Sequence, residues 1–287
     1  MAVSALIVRL LFLVVPFTAH AGSARMSLMV TPGLAAEAEY WPGSVEKPAV
    51  MILHGFLQTR ESFIVRHLAE ALARHGYSVL TPSLTLGLNR RRQSLACEAI
   101  HLHSMQQDVD ELRAWTVWLS ERSGRPPILI GHSTGGVALA ALLESSGSEQ
   151  IEQAVLISPS YFGEELGVER QRRLMARVEE DLQRGGSELG AYVLGHCQRY
   201  VTSADRLLSY LAWDRARLDL VLSSGGIPLS VVYGEHDEQI DLAWLASLGD
   251  AGVSLRRVAA ARHFFDLASE DDLSEEVLDV IVGDGHG

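Results

Sequence analysis

The sequence predicts an α/β fold: a doubly wound, mostly parallel sheet with helices on both faces and a helical lid inserted late in the chain. Three observations predict it. Short apolar runs of strand length alternate with amphipathic helical stretches along most of the 287 residues, the pattern of a parallel sheet buried on both sides. One segment, 161–224, breaks that alternation and shows helical patterning throughout. A serine flanked by glycines joins an apolar strand to an Ala-rich helix, placing a reactive group at the strand's carboxyl end, where ligands of such sheets bind.

Composition narrows the classes. An apolar content of 47% can fill a sizeable core, and a charged fraction of 21% argues against disorder. With 36 acidic against 24 basic side chains and a net charge of −12, nucleic acid is disfavoured as a partner, because phosphate neutralisation needs a basic face. Leu10 to Phe17 form an apolar core segment, and Ala19-His20-Ala21 is an A-x-A cleavage pattern before Gly22. Only Arg9 and the amino terminus supply positive charge ahead of that segment. Arg9 and Pro16 interrupt a run already short of the about 20 residues a membrane span needs. The expectation is a signal peptide over 1–21, one domain over 22–287 with its cap at about 160–224, and export to the periplasm or beyond. Membrane contact is then expected only through the substrate or an uncleaved signal. No cysteine follows the apolar segment, which speaks against a lipid anchor. The two cysteines, Cys97 and Cys197, suggest a disulfide in an exported chain, and a loop that long would restrict the unfolded chain by roughly 4 kcal/mol.

In chain order, 22–44 has little periodicity, and Thr31-Pro32-Gly33 and Trp41-Pro42-Gly43 mark turns around what edge strands it holds. Ala49 to Leu53 reads as a buried strand ending in His54-Gly55-Phe56. Glu61 to His75 is amphipathic and stops at Gly76. Tyr77 to Thr81 is a strand closed by Pro82. Leu84 to Ile100 is irregular and carries Arg90-Arg91-Arg92, read as a solvated loop face, with an anionic head group as the less favoured alternative. Ser104 to Ser123 is a helix with Met105, Val109, Leu112 and Leu119 at helical spacing, ended by Gly124. Ile128 to Ile130 is the next strand, Val137 to Leu143 the Ala/Leu-rich helix, and Gln153 to Ser158 a strand stopped by Pro159. Within 161–224, helices are expected around 169–182, 188–199 and 205–222, with some of Tyr161, Phe162, Met175, Leu208 and Trp213 lining a pocket. Alternation resumes with Pro228 to Tyr233, Asp241 to Leu248, Val253 to Val258 and a last helix around Ser274 to Val282.

The chemistry concentrates at one edge. Gly131-His132-Ser133-Thr134-Gly135 fits G-x-S-x-G between a strand and a helix. The small residues two positions either side of the serine let neighbouring backbone approach, and the turn holds the hydroxyl exposed in a strained conformation. The helix start adds free N–H groups and a positive dipole end for developing negative charge. A serine needs a base, usually a histidine oriented by a carboxylate. His263 follows the last strand, and the acidic turn Tyr233-Gly-Glu-His-Asp237 follows the strand before it. Ser133, Asp237 and His263 thus stand in nucleophile–acid–base order. Glu235, Glu238 and Asp241 compete with Asp237 as the acid. His236 is expected to point away from it, and His54 and His132 to be neighbours of the loop and elbow rather than bases. His101-x-His103 has no carboxylate or cysteine at ligand spacing, so no metal or other cofactor is expected.

Together, His54-Gly55-Phe56, the Ser133 elbow, the Gly234-x-x-Asp237 turn and His263 before a terminal helix resemble the α/β-hydrolase superfamily over essentially the whole chain after residue 21. The resemblance implies a Ser133–His263–Asp237 triad, a helical cap, and an oxyanion hole from the backbone N–H groups of Phe56 and Thr134. The oxyanion loop is of the simple His-Gly-x type and lacks the run of glycines of the His-Gly-Gly-Gly esterases. The expected function is an exported serine hydrolase of carboxylesterase or lipase type acting on a small-molecule or lipid ester. The same machinery would serve a thioester, an amide or peptide bond, or a carbon–carbon bond. A secreted binding protein on the same scaffold is the rival from another class, and the presence of Ser, His and Asp together argues against it.

Overall fold

The computed structural model describes residues 22–146, 150–163, 166–266 and 269–283; the expected signal peptide over 1–21 lies outside them. Eight strands form one sheet in the order β1-β2-β4-β3-β5-β6-β9-β10. The edge strand β1 (Ala24–Thr31) and its neighbour β2 (Leu34–Trp41) form an antiparallel hairpin, and β2 runs antiparallel to β4 (Val79–Ser83). From β4 onward every pairing is parallel, through β3 (Val50–Leu53), β5 (Ile128–His132), β6 (Gln153–Ile157), β9 (Leu229–Gly234) and β10 (Ser254–Val258). The central strands β3 to β6 are buried along their whole length, which is why they read as unbroken apolar runs.

Two apolar layers sandwich the sheet. On one face, α1 (Phe63–Arg74) and α8 (Glu270–Gly283) pack with Ile52, Ile130, Val155 and Val232. On the other, α2 (Met105–Ser123) and α3 (Thr134–Ser146) pack with Met51, Leu129 and Leu156. The α2 helix begins in a capping box, with the Ser104 hydroxyl accepting from Gln107 N–H and the Gln107 side chain returning to Ser104, and it ends on left-handed Gly124.

The 161–224 insertion corrects the expectation of an all-helical cap. It contains α4 (Val168–Gln183), then an antiparallel hairpin of β7 (Leu189–Leu194) and β8 (Cys197–Ser203), then α5 (Ala204–Leu211) and α6 (Arg215–Leu222). The stretch expected as a helix over 188–199 is mostly hairpin. Tyr192 pairs with Tyr200 across it, and Gly195, at φ +53°, occupies the turn. Two turn residues hid the register change in a run whose β-branched and aromatic residues favour strands. The single helix expected over 205–222 is two, because Asp214 starts a new N-terminus by accepting from Arg217 N–H. A disulfide joins Cys97 to Cys197, and His101 N–H donates to Val201 O at 2.8 Å. The hairpin is thereby tied to the irregular loop after β4. Among the described residues, no helix is long and apolar enough to cross a membrane.

Candidate active site

Four connections meet beyond the carboxyl ends of β3, β5, β9 and β10. Ser133 leaves β5 at φ +56° and enters α3 directly, a left-handed conformation that costs an L-residue about 1–2 kcal/mol. Neighbouring backbone holds it there, since its N–H donates to Ile157 O and its carbonyl accepts from Gly136 N–H, both at 2.9 Å. The flanking glycines are required by contact. A Cβ on Gly131 would lie 2.8 Å from the Gly135 carbonyl, and one on Gly135 would lie 2.6 Å from His54 O. The elbow thus closes on itself and on the end of β3.

A further glycine contact joins the loop of Asp237 to that of His263. A Cβ on Gly234 would sit 2.5 Å from Ala261 O, so the turn after β9 lies directly against the loop after β10. Across that contact the His263 Nδ1 is 2.9 and 3.2 Å from the two Asp237 carboxylate oxygens. Its Nε2 is 3.0 Å from Ser133 Oγ. Asp237 and His263 are buried, while Ser133 is half-buried. Burial pushes the Asp237 pKa up, but hydrogen bonding to His263, the charge of that ring and the Gln239 N–H at 2.8 Å outweigh it, holding the carboxyl below its usual range. The other acids lie elsewhere. Glu235 binds Arg257 and Ala260 N–H, Glu238 is exposed, and Asp241 caps α7 (Leu242–Asp250) through Ala243 and Trp244 N–H. His236 is exposed.

Two further histidines hold this frame. His132 is buried, and its Nε2–H donates to the His263 carbonyl at 2.9 Å. Burial, then the neighbouring His263 ring, depresses its pKa to about 4, so it stays neutral near pH 7. His54 donates through Nδ1 to the Gly55 carbonyl at 2.8 Å and accepts from Leu84 N–H through Nε2 at 3.2 Å. Burial and the Arg91 charge lower its pKa to about 3. Gly55 in turn abuts the serine, because a Cβ there would be 3.3 Å from Ser133 Cβ.

Arg91 departs furthest from the sequence reading. Instead of sharing a solvated face, its guanidinium is buried and bonds Leu84 O at 2.6 Å, Leu57 O at 3.3 Å, Gln93 O at 2.9 Å and Gln58 O at 2.6 Å. It clamps the loop after β3 to the loop after β4. Burial lowers its pKa to about 10, with Glu111 and Asp108 opposing the fall. Arg92 makes a bidentate pair with Glu37, both contacts at 2.8 Å, while Arg90 is exposed and takes φ +54°. The three arginines therefore do not form one solvated face: Arg91 is buried within the fold, Arg92 pairs with Glu37, and Arg90 faces solvent.

Phe56 and Thr134 line a narrow cavity of about 30 Å³, room for roughly two water molecules. Thr134 opens α3, so its N–H lacks a partner within the helix. Phe56 packs against Phe162, His196 and Tyr200 with ring centroids 5.2–5.7 Å apart, which places the insertion against the loop after β3. Of the five pocket candidates from the insertion, Phe162 lines the cavity; Tyr161 packs on Trp244, and Trp213 lies under Arg217. Tyr210, His103 and Asp108 line it as well; in the sequence, His103 stands out only as a candidate metal ligand, and neither Asp108 nor Tyr210 stands out. His101 stacks on Tyr200 at 4.0 Å, and its pKa falls to about 4 through burial and then His103. Cys97 and Cys197 lie beside His196, but their sulfur atoms are bonded to each other and cannot act as thiolate ligands.

A histidine bonded through one nitrogen to a carboxylate and through the other to a serine hydroxyl can remove the hydroxyl proton as the oxygen attacks an electrophile. Comparison with known proteins agrees with the fold. The profile of the Alpha/beta hydrolase family matches residues 50–282. No curated protein matches the sequence. Among solved structures, the chain is similar to the alpha/beta hydrolase GrgF from Penicillium sp. sh18, with a TM-score of 0.70, 14% identity, and coverage of 91% of this chain and 98% of that one. It is also similar to Est1E from Butyrivibrio proteoclasticus in its ferulic acid complex, with a TM-score of 0.63, 17% identity and coverage of 90% and 99%. The thioesterase domain from the curacin biosynthetic pathway gives a TM-score of 0.60 at 18% identity, over 90% of this chain and 100% of that domain.

Proposed function

The chain belongs to the alpha/beta hydrolase family, and from that premise we propose that it is a serine hydrolase cleaving carboxylic esters through an acyl-enzyme on Ser133. The observation that carries this reading is the continuous contact from Ser133 Oγ through the His263 imidazole to the Asp237 carboxylate. In this mechanism His263 Nε2 takes the hydroxyl proton as Ser133 Oγ attacks the carbonyl carbon. Asp237 holds the Nδ1–H tautomer and stabilises the imidazolium. The N–H groups of Phe56 and Thr134 stabilise the oxyanion. The imidazolium then protonates the departing alcohol, and a water activated by the same histidine releases the acid.

The test is hydrolysis of p-nitrophenyl acetate, butyrate and decanoate by wild type, Ser133→Ala and His263→Ala, with fluorophosphonate labelling in parallel. Turnover and labelling that vanish in Ser133→Ala support the mechanism. Turnover persisting at the wild-type rate in that variant defeats it. Labelling without ester turnover moves the reading to a thioester, amide or carbon–carbon substrate. Absence of both favours a binding protein.

Export is part of the same proposal. A disulfide between residues 100 apart in sequence suits an oxidising compartment, and the apolar leader with its A-x-A pattern supplies the route. Amino-terminal sequencing of protein recovered outside the cytoplasm should begin at Gly22; a start at Met1 in the membrane fraction would instead indicate an anchor.

A further inference from the structure

The cavity beside the oxyanion loop is apolar along most of its wall, through Leu53, Leu84, Leu86, Met105, Ala138 and Phe162. Its floor is not. Asp108, His103 and Tyr210 also line it, and all three are buried. The Tyr210 hydroxyl is 2.5 Å from Asp108 Oδ2 and 2.5 Å from His103 Nδ1. His103 Nδ1 is 3.4 Å from Asp108 Oδ1, and its Nε2 is 3.3 Å from the Tyr200 hydroxyl.

One proton assignment gives every member a partner. The Tyr210 O–H donates to Asp108 Oδ2, the His103 Nδ1–H donates to the Tyr210 oxygen, and the Tyr200 O–H donates to His103 Nε2. Each donor is then used, while the carboxylate of Asp108 keeps lone pairs free, since an ionised carboxylate accepts at about four sites. The floor is therefore a net acceptor. A buried carboxylate facing a purely hydrocarbon ligand would lose water and gain no hydrogen bond in exchange. Arg91 lies close enough to Asp108 for the two charges to interact, so the negative charge of the floor already has a counterion within the fold. A neutral donor answers that arrangement better than an ammonium would.

We propose that Asp108, with Tyr210 and His103 orienting it, forms a subsite for a hydroxyl group on a short acyl chain, making esters of small hydroxy acids the favoured substrates. This inference rests on the serine-hydrolase reading for its placement of the acyl group, because Phe56 and Thr134 border the same cavity. The cavity is small, about 30 Å³, so the acyl group it accommodates is short. A pocket built to hydrogen-bond a hydroxyl discriminates strongly against the analogue lacking it, because the polar group is then left unpaired.

The experiment compares methyl 3-hydroxybutyrate with methyl butyrate by acid release, and 3-hydroxybutyrate with butyrate by equilibrium binding to wild-type protein. Wild type should favour the hydroxy ester in kcat/KM by roughly tenfold or more. The double variant Asp108→Leu, Tyr210→Phe should bring the ratio of the two kcat/KM values to one or below. A general folding defect would lower both values without moving their ratio. Ester turnover by wild type with no preference, or with preference for butyrate, overturns the subsite and leaves the serine-hydrolase reading in place. If no ester is hydrolysed, tighter binding of 3-hydroxybutyrate than of butyrate keeps the subsite and defeats the esterase reading. Equal binding in that case defeats both.

Discussion

Replacing Arg91 by Met tests whether the clamp between the loops after β3 and β4 holds the site together. Met keeps most of the apolar stem and removes the guanidinium. The contacts to Leu84 O at 2.6 Å and Leu57 O at 3.3 Å are buried, whereas those to Gln58 O and Gln93 O are only part-buried, so water can replace the latter two. Leaving two buried carbonyls unpaired costs about 1–3 kcal/mol each. Glu111 and Asp108 also lose the neighbouring positive charge that acts on them. Against this stands relief of the desolvated guanidinium, whose pKa of about 10 records the strain of burial. The balance is a loss of about 3 kcal/mol, the lower end of what removing one partner from a buried ionic cluster costs. For a domain of this size that lowers Tm by roughly 6–12 °C. Because Leu57 and Gln58 directly follow Phe56, whose N–H the proposed mechanism uses, ester kcat should fall together with stability. Arg91→Lys, with a single ammonium, should recover less than half of either quantity. Urea denaturation and ester hydrolysis at a temperature where all variants are folded measure both. A loss under about 1 kcal/mol with unchanged kcat would refute the clamp.

The remaining predictions concern charge, the crosslink and the pocket. Glu111 is pushed up to about 7, chiefly by burial, so the folded state holds its proton more tightly than the unfolded chain. Stability from this group is complete below about pH 4.5 and is lost as pH rises to 7. The advantage of Glu111→Gln over wild type in denaturation midpoint should therefore be larger at pH 8 than at pH 5. His54, His101 and His132 have pKa values lowered to about 3, 4 and 4, with burial the leading cause in each. Their sign is opposite, since the unfolded chain binds protons first, so stability drains away as pH falls from about 6.5 towards 4. His132→Asn should lose less stability than wild type between pH 7 and pH 5; an equal loss would contradict the assignment. Replacing both cysteines by Ala should destabilise the chain by about 4–5 kcal/mol, because the bridge closes a loop with a separation of 100 residues. A cavity of about 30 Å³ predicts that kcat/KM falls from butyrate to decanoate, and a rise would show that the insertion moves aside.

Features set by short-range physics were legible in the amino-acid order. The apolar runs of β3 to β6 announce buried parallel strands because every side chain in them is covered. The glycines around Ser133 announce an elbow because a Cβ at either would meet backbone within 3 Å. The order of Ser133, Asp237 and His263 was visible in the same way, as short motifs at strand ends. The Gly234-x-x-Asp237 spacing favoured one acid, and what faces each of the four is a matter of tertiary structure. Asp237, Glu235, Glu238 and Asp241 share one turn and its helix start, and they differ in whether His263, Arg257, solvent or a helix N-terminus faces them. The β7–β8 hairpin escaped the reading because its strands are pinned by partners far along the chain, with Cys197 held by Cys97 and Val201 by His101. Arg91 and Arg92 are adjacent in sequence yet serve different neighbours, one clamping four backbone carbonyls and the other pairing with Glu37. The same holds for Asp108, His103 and Tyr210, which meet across about a hundred residues of chain. Periodicity records how a segment meets water and its own backbone, whereas a buried charge takes its meaning from whatever the fold brings opposite it.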